Sequence, residues 1–454
     1  MPAPERSTSD RFNDEREVHM KHHSTRRAAA LAAGLAIGAL ALAGCGAAGP
    51  TGSASSDGKP VEITFWGWAA GYDKSVELWN ASHPDIQVKY QALADGGAGG
   101  YDKMLTAAKA GTAPCLAQVG YETFPSFLAA GALQDISPYV KDARGDFADW
   151  VWGNVGVGDQ TFGVPVDTAP MGLFYRKDLF EKAGIAVPKT WDEFEQAAKK
   201  VVATDPNARL MNMPSDPYLY AGFAWQGQAP WFGTAGDAWK VSLDSAANVK
   251  VGDYWQKLHD ENLLSTYPAF DAALYSAWAG GQVWSEVGPV WSASLIRDNA
   301  AASSGNWAVA PMPRWGGEDK VGNSGGSSTA VMKDCAHPKE ATEFALWMST
   351  DEASVTNLID AAAILPASNA GLKNKALDAP VDYFGGQPIY TVFREEAAKV
   401  ATGWQWGPVM SITAASLGDG LGRIASAGNT YAATLDAAQK ATVDALKSQG
   451  FTVK

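Results

Sequence analysis

Val61-Glu62-Ile63-Thr64-Phe65-Trp66-Gly67, then Tyr72–Asn80, then Ile86-Gln87-Val88-Lys89-Tyr90 is the stretch on which the fold turns. Val61, Ile63 and Phe65 alternate with polar neighbours, which is the period of a half-buried strand. The stretch from about Tyr72 to Asn80 is amphipathic, and His83-Pro84-Asp85 breaks it. Ile86, Val88 and Tyr90 then alternate again. Strand, helix and strand in this order predict a β-α-β unit, and such units build parallel sheets. Beyond it, Gly96–Gly100 reads as a Gly-rich loop, Tyr101–Ala110 as a helix and Leu116–Val119 as a short strand.

The pattern continues along the chain. Thr190-Trp191-Asp192-Glu193 has capping-box spacing, and Trp191, Phe194, Ala197, Ala198 and Val201 form one apolar face behind it. Pro338 opens another helix, with Ala341, Phe344, Ala345 and Met348 on its buried side. A last helix is expected from about Leu435 to Ser448, with Gly450 past its end. The sequence holds no internal repeat. Alternation over 454 residues, 46% of them apolar, predicts an α/β protein of two lobes.

The N-terminus reads as an address. Residues Met1 to His19 are polar, and a second start at Met20 is the expected one, with Met1 the alternative. Lys21, Arg26 and Arg27 precede a small and apolar run from Ala28 to Ala43, the layout of a secretory signal. Export by the general or the twin-arginine route is left open. Leu42-Ala43-Gly44-Cys45 resembles the bacterial lipobox, which implies palmitate and a lipid anchor on Cys45; an ordinary signal peptide is the alternative. Residues 1–44 are then extension and signal, and residues 45–59 a flexible tether. No later stretch is long and apolar enough to span a membrane. Outside the cytoplasm Cys115 and Cys335 are expected to pair, the alternative being two buried thiols.

Composition narrows the chemistry. A net charge of −13 argues against a general nucleic-acid binder. The 6 His and 3 Cys are too scattered for a zinc or iron–sulfur centre, so neither metal nor organic cofactor is expected. Neither a zinc-protease nor a Walker motif occurs. Gly153–Gly158 and Gly418–Gly422 are Gly-rich, but neither has the spacing and context of a dinucleotide loop. Glu122, Asp167 and Glu286 stand in apolar, Gly- or Pro-punctuated surroundings; as paired carboxylates they keep a glycosidase open.

The anomaly is 18 Trp, many beside turn residues. They stand at Phe65-Trp66-Gly67-Trp68, Trp225-Gln226-Gly227, Pro230-Trp231-Phe232, Trp278-Ala279-Gly280, Gly288-Pro289-Val290-Trp291 and Trp404-Gln405-Trp406-Gly407-Pro408. A ring on a loop offers a flat apolar face and one donor, which suits the C–H face of a pyranose. Core or interface packing is the competing reading for each ring.

Phe162-Gly163-Val164-Pro165-Val166-Asp167-Thr168, then Leu173-Phe174-Tyr175-Arg176-Lys177-Asp178-Leu179-Phe180, then Pro188-Lys189-Thr190-Trp191-Asp192-Glu193-Phe194 resembles the solute-binding lipoproteins of bacterial ABC importers. The likeness is to the carbohydrate-binding family that includes maltose-binding proteins. Pro311-Met312-Pro313, Gly325-Gly326-Ser327-Ser328 and Trp406-Gly407-Pro408 add to it. The resemblance implies the two-lobe type II fold, with lobe one at 60–166 plus 310–365 and lobe two at 167–309 plus 366–454. Crossings are expected near Val164–Thr168, Ala308–Pro311 and Ile364–Pro366. It further implies a monomer on the outer face of the cell membrane that captures a sugar and delivers it to permease subunits, without catalysis. Trp66, Trp68, Tyr121, Glu122, Asp167, Trp225, Glu286, Trp291, Ser327, Trp404 and Trp406 are the expected ligand-binding residues. The rivals are a binder of an amino acid, peptide or polyamine and, behind it, a glycoside hydrolase.

Overall fold

The computed structural model describes residues 59–454. The signal, the lipobox Cys45 and all but the last residue of the tether lie outside the described residues. The strands of the two large sheets and the crossing between them are, in chain order, β1 (Val61–Gly67), β2 (Ile86–Ala92), β3 (Leu116–Gly120), β4 (Gly163–Pro165), β5 (Asp167–Thr168), β6 (Met171–Arg176), β7 (Arg209–Asn212), β8 (Leu264–Ser265), β9 (Val283–Pro289), β10 (Trp307–Pro311), β11 (Ser327–Val331) and β12 (Leu365–Pro366).

Sheet one has the order β2-β1-β3-β11-β4, and sheet two the order β8-β7-β9-β6-β10. Each holds three parallel strands, then one that runs antiparallel to both its neighbours. That reversed strand is β11 in sheet one and β6 in sheet two, and each is the first strand of its sheet after the chain arrives from the other. The two sheets share an arrangement that no sequence repeat announces.

Helices cover the sheets where their apolar faces predict. Those used below are α1 (Tyr72–Ser82), α2 (Tyr101–Ala110), α3 (Trp191–Thr204), α4 (Pro217–Gln226), α5 (Ala272–Gly280), α6 (Ser292–Asn299), α7 (Pro338–Thr350), α8 (Met410–Ala427) and α9 (Tyr431–Ser448). At α3 the Thr190 hydroxyl accepts the Glu193 N–H at 3.2 Å, but the Glu193 carboxylate takes the Lys189 N–H instead of closing the box on Thr190. Gly96–Gly100, expected to be a loop, is a π-helical turn capped by Asp95 that runs straight into α2. The last helix starts at Tyr431, four residues before the expected Leu435, because Thr430 caps it through the Ala433 N–H. Gly418–Gly422 lies inside α8, as far from a phosphate loop as backbone can be.

The crossings differ in part from expectation. β5 pairs with β12 antiparallel between the sheets, at Asp167↔Pro366 and Thr168↔Leu365. The expected second crossing, Ala308–Pro311, is instead part of β10, paired along its length with β6. Residues beyond it stay with sheet-two elements: Arg314 N–H bonds to Lys189 O and Val321 N–H to Lys399 O. The chain passes over only at about Gly322–Gly326. After β12, Ser368 and Asn374 still bond to Ser349 and Thr356, while Leu372 O and Asp378 accept from Arg394 and Tyr383 O accepts the Gly305 N–H beside sheet two. Ladder pairing holds β10 to sheet two where the resemblance implies a crossing.

Cys115 and Cys335 are disulfide-bonded across 220 residues, with Cα atoms 4.6 Å apart. Among the described residues no helix is long and apolar enough to cross a membrane.

Candidate functional site

In open sheets of parallel strands, ligands sit beyond the carboxyl ends of the strands. Trp68 follows β1, Glu122 follows β3 and Asp167 follows β4 at that edge of sheet one. Asp216 follows β7 and Trp291 follows β9 at the same edge of sheet two. Ser327 opens the reversed β11, so it too lies at this edge, opposite Gly120.

On the sheet-one side, Trp68 is half-buried; its N–H bonds to Gln118 Oε1 at 2.9 Å and its ring stands edge-on to Tyr101 at 5.4 Å. The Tyr101 hydroxyl donates to Glu122 Oε1 at 2.7 Å and accepts the Gly120 N–H at 3.1 Å. A Cβ at position 120 would collide with both groups, so this close pair needs glycine there. Burial pushes the Glu122 carboxyl up to about 7 against the pull of the Tyr101 bond. Trp66 is half-buried further out, with Lys103 Nζ 4.9 Å from its ring centroid.

Asp167 joins the two crossings. Its Oδ1 accepts the Ser327 N–H at 2.9 Å and the Ser327 hydroxyl at 2.8 Å. Burial raises its carboxyl to about 6 even so. Tyr121, expected on the ligand surface, is only 1% exposed; its hydroxyl donates to Asp167 O at 2.9 Å, and it supports the crossing from beneath. Consecutive residues at a strand end point to opposite sides, so Glu122 faces out and Tyr121 in.

On the sheet-two side, Trp225 and Trp404 are stacked at 5.1 Å with planes 6° apart. Trp406 meets them edge-on at 6.1 and 5.2 Å, and buried Trp231 closes on Trp404 at 5.4 Å. Trp225 is buried on the last turn of α4, not on a loop: Gly227 terminates the helix behind it. Trp278 is likewise buried near the end of α5 before Gly281. Gly227 and Gly281 are the helix C-caps after these rings, where the sequence suggests loops. Trp404 is half-exposed and Trp406 buried, so Trp404 offers the free face. Neither indole N–H has a partner among the described residues. Trp150 from the sheet-one side stands edge-on to Trp225 at 6.1 Å, so rings from both sides meet here.

Glu286 on β9 and Trp291 after it line a recess on this side together with Asn212, Asp216 and Phe270. Burial and the nearby Asp216 carboxylate push Glu286 up to about 8. Tyr101, Gln118, Asp216, Tyr218 and Phe270 were not foreseen. A Gln inside Leu116–Val119 and an Asp before Pro217 were readable signals; Phe270 stands two residues after Pro268, as Trp291 does after Pro289. Among the described residues no group of three or more His, Cys, Asp or Glu is placed to hold a metal.

Two α/β lobes joined by crossing strands, with rings and hydrogen-bonding side chains at both facing edges, define a two-lobe binding protein. The chain belongs to the bacterial extracellular solute-binding protein family, whose model matches residues 67–355. The galacto-N-biose/lacto-N-biose I-binding protein of the ABC transporter of Bifidobacterium longum, solved with lacto-N-biose, superposes with a TM-score of 0.80 at 31% identity, covering 88% of this chain and all of that one. The lactose-binding protein of Rhizobium radiobacter is 24% identical over 364 residues, 75% of this chain and 82% of that one. An uncharacterised lipoprotein of Streptomyces antibioticus is 27% identical over 376 residues, 76% and 77% of the two chains. The fold is the two-lobe type II arrangement the sequence predicts.

Proposed function

We propose that this protein is the sugar-capturing component of an ABC importer, held by a lipid on Cys45 at the outer face of the cell membrane. The observation that carries the sugar reading is the meeting of stacked indoles with acceptor groups at the carboxyl edges of both sheets. Trp404 over Trp225 supplies a plate for a pyranose face. Glu122, Asp167 and Glu286 supply acceptors, and Ser327, Trp66, Trp68, Trp291 and Trp406 complete the contacts. Tyr121 acts from below by holding Asp167. The lipobox and the likeness to a Streptomyces lipoprotein support the anchor.

The mechanism follows from the connectivity. A ligand between the lobes touches both, so it stabilises the closed arrangement through contacts that the open one lacks. Asp167 and Ser327 sit on different crossings and are bonded to each other. A ligand on Asp167 therefore bears on the segments that bend. Lobe one is taken as 60–166 with about 323–378, and lobe two as the rest. The permease reads the closed form, and a lipid tether keeps the protein close to it. The protein works as a monomer and breaks no bond.

A thermal-shift series with galacto- and gluco-configured disaccharides tests this, with amino acids and polyamines as controls. A sugar well above its dissociation constant raises the melting temperature by the linkage relation. Trp404→Ala is expected to weaken binding about tenfold or more, the weight of a stacked ring. The sugar is recovered intact by chromatography. Shifts with the controls alone would sink the sugar assignment, and hydrolysis would make the protein an enzyme.

A further inference from the structure

Three segments from distant parts of the chain meet at one buried amide. Gln118 stands within β3, among apolar neighbours, and is 4% exposed. A buried amide in such a strand is tolerated only where its polar atoms are employed. Its Oε1 accepts the Trp68 and Ala69 N–H groups at 2.9 and 3.1 Å, just past the end of β1. Two N–H donors on one atom make that atom the oxygen, so the amide has a single orientation and its amino group faces the other way. There it donates to Ser327 Oγ at 3.3 Å. The Ser327 hydroxyl hydrogen goes to Asp167 Oδ1 at 2.8 Å, which leaves an oxygen lone pair for Gln118.

Every link donates in the same sense. The loop N–H groups give to Gln118, Gln118 to Ser327, and Ser327 to the Asp167 carboxylate; such a run is polarised along its length and ends well on a carboxylate. One end of the run carries Trp68, whose ring is half-buried at the carboxyl edge of sheet one. The other end reaches the crossings: Ser327 closes the second, Asp167 lies on the first, and Asp167 pairs with Pro366 on the third. The bend between β1 and Trp68 has no slack either. A Cβ on Gly67 would stand 2.9 Å from the Tyr72 ring and 3.3 Å from Gln118 Oε1.

We propose that Gln118 is a positioning residue for ligand capture: it fixes the Trp68 loop relative to the Asp167 carboxylate, so that one ligand meets both without having to order either. The inference rests on the sugar reading above and deepens it. Gln118 acts through the two groups it holds and not by touching the ligand. An apolar side chain at this position takes the acceptor from two loop N–H groups and the donor from Ser327 at once. The loop and the crossings then settle independently, and binding must supply the order that Gln118 supplies in advance.

Gln118→Met tests this, since it keeps the length of the side chain and removes its amide. Melting without sugar confirms that the variant folds. Its Trp68 and Ala69 amides are expected to exchange with solvent about tenfold faster or more, while the Val119 and Thr329 amides of the sheet keep their protection. Calorimetry with lactose, lacto-N-biose and maltose gives the second readout. The sugar that the parent binds most tightly is expected to bind the variant about tenfold or more weakly. Placed on Trp68→Ala, the same substitution is expected to lose roughly threefold or more of that effect, and placed on Trp404→Ala, across the cleft, to keep all of it. A residue that only supports the fold would couple to neither ring. Unchanged exchange at Trp68 and Ala69, an affinity within about threefold of the parent, or a loss that persists in full on Trp68→Ala overturns the inference while the sugar reading stands. A parent that binds none of the three sugars overturns the sugar reading, and this inference falls with it.

Discussion

Glu122, Asp167 and Glu286 all hold their protons more tightly in the folded chain than an exposed carboxyl does, with burial the largest cause. The folded state therefore binds more protons than the unfolded one as pH rises through the carboxylate range, and stability must fall with pH there. For Glu286 the window runs from the ordinary carboxylate value up to about 8, above which the loss is complete. Glu286→Gln removes that loss. The ligand-free variant is expected to be more stable than the parent at pH 8, by on the order of 1–4 kcal/mol, and to gain little at pH 5. Urea unfolding at the two pH values measures it; a variant no more stable at pH 8 than at pH 5 would show that the carboxyl is compensated in solution. A group that lowers stability until a ligand arrives is the usual mark of a binding residue. At this scale the sequence was legible where a side chain's surroundings are local. Asp167, Glu122 and Glu286 stand out because their neighbours along the chain are apolar. Tyr121 is buried because the turn of the strand end decides which of two adjacent residues faces out. Gln118 was missed because its partners, Trp68 and Ser327, are far away in sequence.

Among the elements, the second crossing is the most constrained. Gly325 and Gly326 have φ of +109° and +93°, and a Cβ on Gly326 would lie 2.6 Å from the Tyr121 ring. Gly326→Ala is expected to cost about 1–3 kcal/mol and to weaken sugar binding, because the crossing must move away from Tyr121 and Asp167. Chemical denaturation and calorimetry check both; unchanged stability and affinity would show that the crossing has room to spare. Gly-Gly-Ser could be recognised in the sequence as a special turn, but not as the crossing itself. The resemblance puts the second crossing near Ala308–Pro311, where the chain instead stays paired with β6. Helices were read better than crossings, since a periodic face and a cap are contained within one element. The Gly after Trp225 and Trp278 shows the limit: one residue type ends helices and builds loops, and only the preceding turn tells them apart.

Over the whole molecule, the two sheets are assembled from very different spans of chain. Every strand of sheet two lies between Met171 and Pro311, whereas sheet one needs β11, ending at Val331, to join β3 to β4. Contacts between distant segments form late, after the nearer ones. Sheet two is therefore expected to assemble first on refolding. Pulse-labelled hydrogen exchange would find the Phe174 and Val287 amides protected before those of Val119 and Thr329; the reverse order would contradict it. The same dependence holds while the chain is being delivered outside the cell. Until Val331 emerges, β3 is an unfinished edge, with its row of backbone donors and acceptors open to any passing strand. Cys115 waits beside it, and its partner Cys335 arrives four residues after the strand that closes the sheet. Formation of the disulfide thus reports that the first sheet is complete, and a nascent chain halted short of Val331 is the species most exposed to aggregation.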